Sequence, residues 1–149
     1  MDLPALWAVD GTVAAPPAAV AGLLLAVSEG RVGYDNLLVL AHASAARRGS
    51  MTVVAAPDTG VYRAELAGPV APAVIRVDPA SSTLAVQSWY AGIYAVTACS
   101  AGALVTHRVH RVVPSHPGFA DGIADLGLRV RMRRDLDDVL GVIADRLGC

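Results

Sequence analysis

The tightest constraint on this chain is a change of hydrophobic period partway along it. Between Met51 and Val113 apolar residues alternate with polar ones in short runs. From Leu128 to Leu147 they recur every three or four residues instead. The alternating runs are Met51 to Ala55, Val61 to Ala67, Val74 to Val77, Leu84 to Tyr90, Ile93 to Cys99 and Ala103 to Val113. Each is bounded by turn residues: Pro57-Asp58-Thr59-Gly60, Gly68-Pro69, Asp78-Pro79-Ala80-Ser81-Ser82, Ala91-Gly92, Ser100-Ala101-Gly102, then Pro114 and Pro117. Five or six short strands at hairpin spacing predict one antiparallel, curved sheet. The last segment, from Gly118 to Leu147, predicts a long helix. Leu128, Met132, Leu136, Val139, Leu140, Ile143 and Leu147 form one apolar stripe, with Arg129, Arg133, Arg134, Asp137, Asp138 and Arg146 elsewhere around it. A helix of that length with a single stripe needs a concave sheet to lie in.

The start of the chain adds a strand and two helices. Leu6 to Val13 reads as a strand. Pro16-Pro17 stops it and fits the first turn of a helix. Val20, Leu23, Leu24 and Val27 then follow helical spacing, and Ser28-Glu29-Gly30 closes the segment. A second helix is expected from Asp35 to about Arg48, where Leu and Ala are dense and Arg47-Arg48-Gly49 suits a C-terminus. The fold class is therefore α+β, one domain over residues 1–149, with two short helices after the first strand.

Composition excludes several classes. Of 149 residues, 54% are apolar and 17% charged, which rules out a disordered chain. Such a chain buries roughly 70% of its unfolded surface, enough for a full core. The net charge of −1, with twelve Arg and no Lys as the cations, predicts no nucleic-acid partner and no anionic membrane. The opening MDLPALWAVDG lacks a positive n-region, and the longest apolar run, Val13 to Val27, is too short to span a bilayer. A cytoplasmic protein is expected. Cys99 and Cys149 belong to no CxxC, so two free thiols are expected. His107 and His110 stand three apart on a strand and face opposite sides, so they share no metal. No GxGxxG after a strand, no GxxxxGK[ST] and no GxSxG occurs.

Four stretches then carry a resemblance. They are Val9-Asp10-Gly11-Thr12-Val13-Ala14-Ala15-Pro16-Pro17-Ala18-Ala19-Val20, a strand running into a Pro-started helix; Val77-Asp78-Pro79 with Ser82-Thr83-Leu84; Ala101-Gly102-Ala103-Leu104-Val105-Thr106-His107-Arg108; and the helix Arg129 to Leu147. In this order the chain resembles the START-like, or Bet v 1-like, helix-grip (SRPBCC) superfamily and its polyketide cyclase/dehydrase branch. The resemblance implies an internal apolar cavity between the sheet and the long helix. It also implies a hydrophobic ligand: a lipid, sterol, polyketide or hormone. It calls for neither cofactor nor metal, and for a monomer or homodimer.

Strand parity selects the residues facing such a cavity. Ala103, Val105, His107, Val109 and Arg111 share one face of the longest strand. Thr106, Arg108 and His110 share the other, which is expected to be solvated. His107 is the candidate acid/base, since a neutral imidazole can bond a carbonyl or move a proton near neutral pH. The competing reading is a half-buried His satisfied by a neighbouring Ser, Tyr or water. Tyr94 is the second catalytic candidate. Tyr62, Ser88, Tyr90, Val105, Val109, Arg111, Leu128 and Met132 are expected to bind the ligand: hydroxyls for its oxygens, apolar groups for its body, and Arg111 at the mouth. A Tyr in a core more often packs with its hydroxyl at the rim. The charges from Arg129 to Asp138, Asp135 included, read as a solvated helix face.

Two functions follow. One is a cofactor-independent cyclase or dehydratase that folds a reactive chain in an apolar site. The other is a lipid or hydrophobic-metabolite carrier without turnover. A third, the superfamily's ribosome-acting toxin-like branch, is disfavoured by the charge of −1.

Overall fold

A computed structural model describes residues 5–31, 51–66, 72–87, 90–111 and 120–149. Side chains at 66, 90, 111, 120–126 and 128 lie outside the described part. The elements are β1 (Trp7–Val13), α1 (Pro17–Leu24), β2 (Gly30–Arg31), β3 (Met51–Ala55), β4 (Val61–Leu66), β5 (Ala73–Asp78), β6 (Thr83–Gln87), β7 (Tyr90–Cys99), β8 (Gly102–Arg111) and α2 (Ala120–Leu147). The eight strands make one antiparallel sheet in the order β1-β8-β7-β6-β5-β4-β3-β2. Strands β2 to β8 form a meander, and β1 closes the row beside β8. The architecture is the α+β plan expected, a curved sheet with a long C-terminal helix.

Three expectations need correction. Besides β1 and the six strands expected from Met51 on, Gly30–Arg31 forms a further short strand, β2, which was not expected. Helix α1 stops at Leu24, capped by the Leu25 N–H on the Ala21 carbonyl, so Val27 is not helical. The chain leaves the helix there to reach the sheet edge. Gly30, at φ +112°, turns into β2, and Glu29 Oε1 accepts the Ala55 N–H at 2.8 Å. Finally, Ala91-Gly92 does not separate two strands. Both residues lie inside β7, pairing Gln87 and Val86 on one side and His110 and Val109 on the other. The expected helix from Asp35 to Arg48 lies outside the described residues.

Sheet register defines an inner face. One row runs Val9, His107, Tyr94, Leu84, Val77 across β1, β8, β7, β6 and β5. The next runs Trp7, Val109, Gly92, Val86, Ile75, Tyr62, Ala55. Val9, His107, Tyr94, Leu84, Val109, Val86 and Ile75 are all buried. Helix α2 seals this face over β1. The Trp7 Nε1–H donates to Met132 Sδ at 2.6 Å, and Arg133 Nη1 donates to the Asp10 carbonyl. Gly11 makes room for Leu140: a Cβ there would run into Leu140 Cδ1. Met132, Leu136, Val139, Leu140 and Ile143 are buried as the apolar stripe requires.

Candidate functional site

The inner face carries two polar aromatic side chains side by side. Tyr94 on β7 and His107 on β8 are register partners, so their side chains leave the sheet in the same direction. Their rings stack with centroids 3.8 Å apart and planes 12° from parallel. Tyr94 is 2% exposed and His107 3%. Val96 and Val105 form the next inner-face pair on one side, and Gly92 and Val109 on the other. The sheet thus presents an imidazole and a phenol from an otherwise aliphatic wall. Such a pair can fix a ligand oxygen and move a proton.

The other expected site residues divide by position. Val105, Val109 and Met132 are buried on the same side of the sheet as the pair. Tyr62 is half-buried on the inner face of β4, three strands from Tyr94, or about 14 Å of sheet at the usual strand spacing. It does not join the pair directly. Tyr90 and Arg111 are register partners at the end of the β7–β8 ladder. Their side chains and that of Leu128 lie outside the described part, as does all of Ser88. His110 corrects the parity argument: it faces away from His107 yet is only 7% exposed. Val109 and His110 are adjacent and both buried, so the sheet is covered on both faces at that end. Strand alternation assigns a face but does not tell whether something packs on it. Arg108, exposed, keeps the solvated reading.

One charged residue of α2 departs from the solvated face expected for that run. The side chain of Asp135 on α2 is only 16% exposed, whereas Arg129, Arg131, Arg133, Arg134, Asp137 and Asp138 are exposed. Its spacing from Met132 and Val139, three before and four after, puts it on their side of the helix. That signal was present in the sequence and was masked by the surrounding run of charges. Burial, and after it the Asp135 charge, push the Tyr94 phenol well above its ordinary pKa. The folded protein thus favours the protonated phenol at pH values where a free tyrosine ionises.

This has a measurable consequence. Above about pH 10 the unfolded chain ionises Tyr94 and the folded one does not, so the unfolded state binds fewer protons there. Tyr94 then reduces stability by up to about 1.4 kcal/mol per pH unit as pH rises. Tyrosinate absorbance of the parent and of Tyr94→Phe should overlay until unfolding begins, and Tyr94→Phe should lose less stability in alkali. An extra tyrosinate ionising in the folded parent would place Tyr94 in solvent.

No known family model and no curated protein sequence matches the chain. Solved structures do. The solution structure of KanY protein (ms6282) superposes with a TM-score of 0.60 at 19% identity, over 100% of both chains. Protein CV1439 from Chromobacterium violaceum superposes at 0.51 with 13% identity, over 95% of this chain and 99% of that one. The crystal structure of Ara h 8.0201 gives 0.48 at 10% identity, over 93% and 97%. At these identities the likeness concerns the fold alone, and the first two superpositions carry it. With the observed sheet order and terminal helix, the chain has the START-like, Bet v 1-like helix-grip fold. Among the described residues no helix is long and apolar enough to cross a membrane.

Proposed function

We propose that this protein binds a hydrophobic small molecule, polyketide- or lipid-like, between the inner face of the sheet and α2, and acts on it as a cyclase or dehydratase. The observation that carries this reading is the Tyr94–His107 stack, buried in an aliphatic wall. The stack sets two hydrogen-bonding side chains among hydrocarbon, where the polar atoms of an apolar ligand would meet them. Gly92, buried between Val109 and Val86, and the Ala64–Ala73 pair leave the inner face low where a ligand body would lie. In a dehydration, His107 takes a carbon-bound proton, Tyr94 hydrogen-bonds the departing hydroxyl, and water leaves with a proton returned by the imidazolium.

The test is ligand-dependent stability. A ligand at a hundredfold excess over its Kd should raise stability by about 2.7 kcal/mol. Tyr94→Phe keeps the ring and removes only the hydroxyl, so it should fold normally and respond less. Arg108→Ala, on the exposed face, should respond like the parent; His110 is buried and makes a poor control. Conversion of the bound molecule distinguishes an enzyme from a carrier. A panel of polyketide-like and lipid-like compounds that stabilises the parent and Tyr94→Phe equally would remove the polar pair from the site.

A further inference from the structure

The Trp7–Met132 and Gly11–Leu140 contacts set α2 alongside β1, running in the same direction. Eight residues of helix and four of strand both advance about 12–13 Å, so the two stay level. Arg129 then lies about 4.5 Å beyond Met132, level with the chain just before Trp7. Around the helix it continues the buried stripe. Arg129, Leu136 and Ile143 are seven residues apart, which turns each only about 20° from the next. Leu136 and Ile143 are fully buried against the sheet, yet Arg129 is exposed. The space between sheet and helix is therefore open at this end. Leu6 and Val130, the exposed large apolar side chains among the described residues, stand at the same level, and Trp7 beside them is only half-buried. The opening has an apolar rim and one cation on its helix side.

We infer that Arg129 holds a carboxylate end of the ligand at this opening, so that the site takes apolar acids in preference to alcohols or amines. This rests on the proposed ligand binding and deepens it. The other arginines of this stretch are engaged. Arg131 and Arg134 meet the Asp135 carboxylate at 3.8 Å and 4.0 Å, and Arg133 donates to the Asp10 carbonyl. Arg129 has no hydrogen bond or ion pair among the described residues. Its planar fork matches the two oxygens of one carboxylate. An alcohol offers it a single neutral acceptor, and an ammonium is repelled. The Tyr94–His107 pair lies in the Val9 row, about 10 Å further in along the strand direction. An acid held at Arg129 thus lays its apolar body toward the stack.

Three probes of one chain length test it: decanoate, decanol and decylammonium, each displacing Nile red from the full chain at low salt. Decanoate should bind about fivefold tighter than decanol, the upper range of an exposed ion pair, and decylammonium should bind weakest. The advantage of decanoate should shrink in molar salt. Arg129→Gln should abolish it and leave decanol within about twofold of its parent affinity. Arg108→Gln loses the same charge from the opposite face of the sheet and should keep it. Decanol or decylammonium binding the parent as tightly as decanoate, or an advantage that survives Arg129→Gln, overturns the inference and leaves ligand binding standing. Failure of all three probes and of Nile red itself to bind overturns both. The comparison within the parent protein needs no variant to fold.

Discussion

Gly102→Ala is expected to cost more than about 3 kcal/mol of stability, the largest loss of any Gly→Ala change among the described residues. Gly102 opens β8 at φ +124°, a backbone conformation that side-chain-bearing residues rarely adopt. Space is closed as well. A Cβ there would stand 2.6 Å from the Val13 carbonyl oxygen, 2.8 Å from the Ala15 nitrogen and 2.9 Å from the Ala15 oxygen. These are backbone atoms where β1 turns toward α1, and they have no rotamer to escape into. Moving them would disturb the β1–β8 pairing on which the Val9–His107–Tyr94 row depends. The counterpart is Gly141→Ala, on the exposed face of α2 with nothing within 4 Å of the new methyl. It should gain about 0.5–1 kcal/mol, since alanine restricts the unfolded chain and favours helix. Urea denaturation of the two variants decides it, and a Gly102→Ala loss under about 0.5 kcal/mol would mean the turn is not built as described.

The docking of α2 gives the second large effect. Leu136 and Ile143 are fully buried one above the other on the sheet side of the helix. Truncating either to alanine should cost about 2–5 kcal/mol, the transfer term plus the cavity left behind. Val130, 71% exposed on the same helix, loses no packing on truncation, so Val130→Ala should stay within about 0.5 kcal/mol of the parent. Equal small effects at all three positions would mean that α2 is not held against the sheet.

The sequence carried the fold further than the site, for physical reasons visible at particular residues. Period-two patterning and the stripe from Met132 to Ile143 specify a sheet and the helix that covers it, because burial acts on every residue of a face at once. Local breakers proved less informative than their neighbours. Ala91-Gly92 has turn composition, yet it stays inside β7 because Val86 and Val109 pair with Gly92 on either side. Gly30, by contrast, does need its φ of +112°, and it ends the excursion that α1 was expected to fill. Within the site, parity placed His107 and Tyr94 on one face, but their stacking depends on β7–β8 register, which a single strand does not encode. His110 was assigned its face by the same rule, and its burial depends on what packs there, which the strand pattern does not hold. Asp135 was hidden because charge runs usually mark solvent; only its spacing from Met132 and Val139 set it apart.

The claim on which the account turns is that the face bearing Tyr94 and His107 receives the ligand. Nuclear Overhauser contacts from a bound compound of the stabilising polyketide-like and lipid-like panel to the isotope-labelled protein test it most directly. The account predicts contacts to the rings of Tyr94 and His107 and to the methyl groups of Val109 and Met132, all on one side of the sheet. Contacts confined to outer-face residues such as Thr106 and Arg108, with none to the stacked pair, would contradict it.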